Sequence, residues 1–294
     1  MELLVTLRKK SYLNRINELK VDGVIIGSLF SMGYDYELSD LKAIVDYCKK
    51  SHLKVYVTID TFIKEDDKQV LFSYLELLDK MNINGLFFHD LAVVDASKNL
   101  LLKNRLVFDG KTMASNSLDV SFYLSKGINS VVLSRALSFK EIVNIVANHE
   151  NKVDLQVFGR LELSYSKRFF LSNYFKEIGM TYYPKEKRNL SLVEEKRDYA
   201  LPILESDYGT RIYSDYVFEM YELFPKIKPY INKAIIDDIF VNEDVFFNVC
   251  RDLCRISEDN AEYLRENLIR RYPEINFTNG FLYEKSSIRK EESE

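Results

Sequence analysis

This sequence lacks tryptophan altogether and holds only 3 cysteines, 3 histidines, 5 prolines and 10 glycines in 294 residues. Each shortage excludes something. Cys48, Cys250 and Cys254 are too few, and odd in number, for a disulfide framework, so a reducing cytoplasm is the simplest compartment. Sparse Pro and Gly leave little material for long flexible linkers. No segment approaches the ~18 uninterrupted apolar residues of a membrane span. The opening MELLVTLRKK has too short an apolar run for a secretory signal, and its charges follow the run instead of preceding it. Neither a G-x-S-x-G nucleophile elbow nor an H-E-x-x-H zinc motif occurs. A net charge of −4 gives no overall pull toward nucleic acid, so any such contact has to come from a local basic patch.

What is present is an ordinary globular composition, 47% apolar and 29% charged, with a core rich in aromatics from 20 Tyr and 19 Phe. Short apolar runs alternate with helical patterns. Strands are expected at 2–6, 23–27, 54–59, 85–88, 105–108, 130–133 and 153–158, with helices at 11–20, 40–50, 65–81, 91–102, 117–126 and 139–148. Ser39 offers an N-cap for the second helix. Runs such as GVIIG, GLFF and SVVL suit strands covered on both faces. The turn after the first strand, Leu7-Arg8-Lys9-Lys10, has no glycine, which argues against an open dinucleotide-binding sheet. The expected fold is therefore an α/β, (β/α)8 TIM-type barrel of residues 1–285. Gly159 is read as the end of the seventh strand, with a polar loop after it. An irregular excursion over the barrel mouth is expected at 178–230, with a hairpin of 200–205 and 210–214. Lys233–Asp237 is the expected eighth strand, followed by helices at 245–256 and 259–271, and a charged tail occupies 286–294.

In such a barrel, function sits where strands end. Those ends carry Asp60, His89, Asp90, Asp109, Asn116, Ser134, Arg135, Arg160, Glu162, Asp237 and Asp238. Arg135, Arg160, Lys167 and Arg168 make a candidate anion site, because guanidinium forks grip carboxylates and phosphates. Glu162, Ser164, Tyr165 and Asn116 complete the candidate binding set. The plainer reading pairs each cation with a neighbour such as Glu162 or Glu141. Of the histidines, His52 precedes a strand and His149 ends a helix, where a partly positive ring suits the dipole. His89 alone stands at a strand's outgoing end. With Asp90 and Asp60, and Ser164 or Ser166 as nucleophile, it forms the candidate catalytic group. Cys250 and Cys254, four apart on one helix face, read as buried structural thiols. No metal site is expected.

The pieces GVIIGSLFS (23–31), KVYVTIDTF (54–62), SVVLSRALSFKEI (130–142), VFGRLELSYSKRFFLSNYF (157–175) and NGFLYEK (279–285) resemble peptidase family U32, the collagenase-like proteases. The resemblance covers most of the chain and implies a TIM-type barrel. Members include supposed collagenases, subunits of ubiquinone hydroxylation, and proteins that form 5-hydroxyuridine at the tRNA wobble position, with prephenate implicated as a co-substrate. Many hold an iron–sulfur cluster through four cysteines. Where the family has H-G-x-x-C-x-x-Y-S-G-x-C, residues 158–169 here read FGRLELSYSKRF. The histidine position is Phe158 and the two cysteine positions are Glu162 and Phe169. No cysteine lies between Cys48 and Cys250, so no cluster cofactor is expected. The chain resembles the short, cysteine-poor branch. That implies a cluster-less partner of a longer family member in tRNA uridine hydroxylation, with tRNA or an anionic small molecule as ligand. A collagenase-like peptidase and a non-catalytic scaffold remain the alternatives.

Overall fold

The computed structural model describes residues 1–195 and 199–283; the charged tail expected at 286–294 lies outside them. Seven strands, β1 (Glu2–Thr6), β2 (Gly23–Gly27), β3 (Lys54–Ile59), β4 (Gly85–Phe88), β5 (Leu106–Phe108), β6 (Ser130–Val132) and β7 (Val153–Gly159), pair in parallel, each with the next. Beyond β7 come β8 (Glu162–Ser166), β9 (Ser191–Val193), β10 (Ala200–Ser206), β11 (Gly209–Tyr213) and β12 (Val217–Glu219). Then β13 (Lys233–Ile236) pairs in parallel with both β7 and β1, with Lys233 opposite Asp154 and Glu2, and closes an eight-stranded barrel. A short β14 (Phe277–Thr278) pairs with β12, which itself runs antiparallel to the end of β7.

Period-two alternation sorts the strand side chains into two populations. Outward residues such as Leu3, Val5, Val24, Ile26, Val55 and Val57 join the main core beneath the helices. Inward residues form layers, as barrels of this kind require. The middle layer is apolar: Leu4, Ile25, Tyr56, Phe87, Val107, Val132 and Ile235. One step toward the strand starts, the floor is polar and buried. There the Ser130 hydroxyl donates to Asp154 at 2.6 Å, and Lys233 Nζ donates to Ser130 at 3.0 Å. Lys233 lies 3.7 Å from Asp154, whose carboxyl burial pushes up to about 6 against the pull of that ammonium.

The outer helices are α1 (Leu13–Asn17), α2 (Leu38–Lys50), α3 (Lys68–Lys80), α4 (Ala92–Ala96), α5 (Ser117–Ser125) and α6 (Phe139–Asn148). Glu37, not Ser39, occupies the N-cap of α2, because the Asp40 carboxylate reaches back to its N–H at 3.3 Å. The helix expected at 91–102 stops at Ala96. Asp79 takes the N–H of Leu102 at 2.8 Å and turns that stretch into a 3-10 helix leading to β5.

The polar segment after Gly159 is not a loop. Its residues 162–166 form β8, one edge of a four-stranded antiparallel sheet of order β8-β11-β10-β9. The alternation there is between polar and half-buried residues, so it carries no apolar signature. Gly159 is the last residue of β7, at φ +121°, and a Cβ there would stand 2.5 Å from the Asp237 carbonyl oxygen. Only glycine lets β7 and the end of β13 approach so closely. The sheet and its helix α7 (Phe170–Glu177) make a cap beside the strand ends. The chain then continues through α8 (Phe224–Ile227), α9 (Glu243–Arg255) and α10 (Ala261–Arg271).

Candidate functional site

The barrel's outgoing strand ends and the inner face of the cap enclose a polar cavity of ≈ 50 Å³. Five cationic side chains line it, and four of them are engaged by carboxylates.

Arg8, two residues past β1, forks onto Asp237 just beyond β13, at 3.1 and 3.0 Å, and donates to the Met32 carbonyl at 2.9 Å. Its Nε also lies 3.3 Å from Asp238, which accepts the Thr6 hydroxyl at 2.6 Å. One guanidinium thus serves two adjacent carboxylates, Asp237 half-buried and Asp238 buried. Burial pushes Asp237 up, but the Arg8 charge outweighs it and holds that carboxyl below its ordinary range. Burial and the neighbouring Asp237 charge push Asp238 up to about 6.

Arg135, after β6, forks onto Asp109, after β5, at 2.7 and 3.2 Å, and its Nε donates to the Gln156 side chain at 3.0 Å. Lys111 adds a contact to the same carboxylate at 2.7 Å. Burial acts against ionisation of Asp109, yet the two cations hold it far below the usual carboxylate range.

Arg211, inward-facing on β11, pairs with Asp60 at the end of β3 at 2.9 Å and also donates to its backbone carbonyl. Glu162 stands 3.4 Å from Arg211 Nε, a charge contact and not an aligned hydrogen bond.

Arg160 is different. Its Nε donates to the Phe240 carbonyl at 3.2 Å and its Nη1 to the Ser214 carbonyl at 2.8 Å. No carboxylate among the described residues comes within ion-pair distance of it. Burial lowers its pKa from the ordinary value, only partly offset by the more distant Asp215. A guanidinium held by neutral carbonyls, on the wall of a polar cavity, keeps a positive charge that no carboxylate among the described residues neutralises at close range.

The sequence-derived candidates scatter. Asp60, Arg135, Arg160 and Glu162 line the cavity. The expected convergence of three arginines fails at Arg168, which follows β8, is exposed and does not line the cavity. Lys167 is also exposed, reaching the Ile63 carbonyl at 3.4 Å and lying over the Phe62 ring at 5.7 Å. Ser164 is exposed on β8. Tyr165 donates to the Tyr208 carbonyl at 3.0 Å, stacks on Phe62 at 5.1 Å and lies under the Arg211 guanidinium. Asn116 caps α5, accepting the N–H groups of Leu118 and Asp119. Asp90 accepts from the N–H groups of Ile63 and Ala92 at 2.9 Å each, which is work for a loop staple.

A triad on His89 is not assembled. Its Nδ1 donates to the Asp109 carbonyl at 3.1 Å and its ring packs on Phe62 at 4.9 Å; neither Ser164 nor Ser166 bonds to it. Arg8, Lys111 and Arg211 escaped the sequence reading. Arg8 sits two residues past the end of β1 and Lys111 three past the end of β5, offsets that lie within reach of a search of strand ends. Arg211 left no signal, because it lies inside the hairpin.

A model described as Peptidase family U32 matches residues 31–291. The chain belongs to peptidase family U32. It is 28% identical to tRNA hydroxylation protein P2 of Bacillus subtilis (strain 168) over 251 residues, 82% of this chain and 81% of that protein. It is 26% identical to tRNA hydroxylation protein P1 of the same organism over 157 residues, 52% of this chain and 37% of that longer relative. The solved U32 peptidase Mk0906 shares the fold at a TM-score of 0.52 and 15% identity, over 81% of this chain and 92% of that structure.

The family's cluster does not fit the residues of this chain. Glu162 and Phe169 offer a carboxylate and a ring where thiolates would be needed. Cys48 sits buried on α2, where burial pushes its thiol up to about 12, and Cys250 is buried on α9, its thiol likewise pushed up by burial. Such thiols are poor thiolate donors. Among the described residues no group of three or more His, Cys, Asp or Glu side chains is placed to hold a metal ion, and no helix is long and apolar enough to cross a membrane.

Proposed function

We propose that this chain acts in tRNA wobble-uridine hydroxylation, forming 5-hydroxyuridine as a cluster-less partner of a longer U32 relative, and that its mouth cavity holds the carboxylate of a small anionic ligand. The observation that carries the reading is Arg160, a cavity-lining guanidinium without a carboxylate of its own, in a chain similar to P2 over most of both lengths. The reading places the protein in the cytoplasm, with tRNA.

Size narrows the ligand. A cavity of ≈ 50 Å³ has room for a few waters or one carboxylate, whereas a benzene ring takes a cavity of about 150 Å³. A nucleobase therefore does not fit inside the cavity with the cap in this position. Prephenate, which the family resemblance implies, offers two carboxylates, one of which suits Arg160; its ring requires the cap to move outward. The chain's part is then binding and orientation: Arg160 holds the anion, and the Arg135–Asp109 and Arg8–Asp237 pairs keep the walls rigid. The peptidase alternative finds no support in the geometry around His89.

Mass spectrometry of tRNA from a deletion strain tests the reading. 5-Hydroxyuridine-type modification should fall, return with the wild-type chain, and fail to return with Arg160→Glu. Unchanged tRNA in the deletion strain would end it.

A further inference from the structure

The function proposed above leaves open where RNA meets this chain. The mouth cavity has no room for a base. The cap, however, carries an unusual surface. Helix α7 buries none of its residues, although its sequence FLSNYFKE is amphipathic. Leu171 and Phe175 lean on the sheet half-buried, while Tyr174 is 58% exposed. The segment after it continues the exposure through Met180 and Tyr183, the latter at 69%. Phe175 braces this face, with ring centroids 5.4 Å from Tyr174 and 4.6 Å from Tyr182.

The helix is not loose. The buried Glu205 carboxylate accepts the N–H groups of Leu171 at 2.8 Å and Ser172 at 3.1 Å, along with the hydroxyls of Ser172 and Thr210. It thereby caps α7 from the sheet below, and fixes the exposed rings outward. Cations border the rings. Residues 163–183 contain Lys167, Arg168 and Lys176 against a single carboxylate, Glu177, in a chain whose net charge is −4. Arg168 and Lys176 have no carboxylate partner among the described residues.

Exposed aromatic faces flanked by unpaired cations, held on a rigid support, are the elements of a single-stranded nucleic-acid platform: bases stack on rings and phosphates meet cations. We propose that the outer face of α7 and the following turn to Tyr183 bind a single-stranded RNA loop. Bases stack on Tyr174 and Tyr183, while Arg168 and Lys176 contact phosphates. Aromatic rings serve both kinds of interface, and it is the cation excess that favours RNA over a protein partner, since charge and lysine are depleted at protein interfaces. This inference rests on the tRNA reading for the identity of the RNA, and not for the existence of the surface.

The test is fluorescence anisotropy with a labelled anticodon stem–loop RNA and the full-length chain, across a salt series. Tyr174→Ala combined with Tyr183→Ala should weaken binding about tenfold or more, the effect of losing stacked bases. Arg168→Glu with Lys176→Glu should weaken it and reduce the slope of log affinity against log salt by about 1.4, as expected for two phosphate contacts on a single strand. Tyr230→Ala, an exposed tyrosine just before β13, should change nothing. All variants alter surface residues, and unchanged melting curves would verify their folds. Failure of the wild-type chain to bind the RNA, or wild-type affinity in both double variants, would overturn the proposal. So would a Tyr174/Tyr183 variant that binds RNA normally but loses its longer U32 relative in co-purification, since the face would then be a protein interface. RNA binding through this face together with intact tRNA modification in the deletion strain would instead sink the hydroxylation reading and leave this one standing.

Discussion

Arg211 on the cap sheet and Asp60 at the end of β3 form an ion pair at 2.9 Å, buried on both sides and 151 residues apart in sequence. This contact fastens the cap to the barrel. The stacked Tyr165–Phe62 pair lies beside it, with Arg211 over the Tyr165 ring at 4.8 Å.

Removing one partner of a buried pair strands the other charge, at a cost of about 3–5 kcal/mol. Arg211→Met should therefore destabilise the chain by that order in urea denaturation. Hydrogen exchange should accelerate first in β8 and β11. Combining it with Asp60→Leu should recover part of the loss, because the buried Asp60 carboxylate is then gone and only the more exposed Glu162 is left without its cation.

Arg160→Gln keeps a donor for the neighbouring carbonyls and removes the charge. Affinity for a small carboxylate such as malonate, measured by calorimetry, should fall at least about tenfold, the size of one charge-assisted hydrogen bond. Thermal stability should change far less than in Arg211→Met.

Anion binding should strengthen as pH falls. Asp238 titrates near about 6, above the ordinary carboxyl range, so it prefers its neutral form in the folded chain. Its contribution to stability is complete below about pH 4 and is lost as pH rises through about 6. Over the same window, protonation removes a negative charge next to Arg8 and leaves the mouth more positive. Carboxylate affinity should rise between about pH 7.5 and 5.5, and Asp238→Asn should flatten that profile.

Glu205→Ala should free α7. Two backbone N–H groups and two hydroxyls lose their shared acceptor, and leaving buried donors unsatisfied costs about 1–3 kcal/mol each at most. Limited proteolysis should cut within residues 167–183 sooner than in the wild type. Tyr174→Ala should leave the cutting rate unchanged.

The barrel was legible because its strands are covered on both faces. GVIIG and GLFF are continuous apolar runs, KVYVTI and KAII are apolar apart from their lysines and Thr58, and even the closing strand stands out among irregular chain. The cap was not legible in the same way. Residues 162–166 form a sheet edge with mixed exposure, so no apolar alternation marks them. The site was half visible. Asp60, Arg135, Arg160 and Glu162 were reachable by looking at strand ends. Arg8 lies in a turn whose readable feature is its lack of glycine, and Arg211 lies in a hairpin, where an arginine ordinarily faces water. Arg168 is close to Arg160 in sequence, but the intervening strand, β8, carries it away from the cavity and into solvent.

The ring of Leu4, Ile25, Tyr56, Phe87, Val107, Val132 and Ile235 has one more effect. It plugs the cylinder beneath the mouth, so the chamber has a single doorway. Whatever arrives and whatever departs must pass the same threshold in turn, and a slow-leaving product would compete directly with the next molecule to enter.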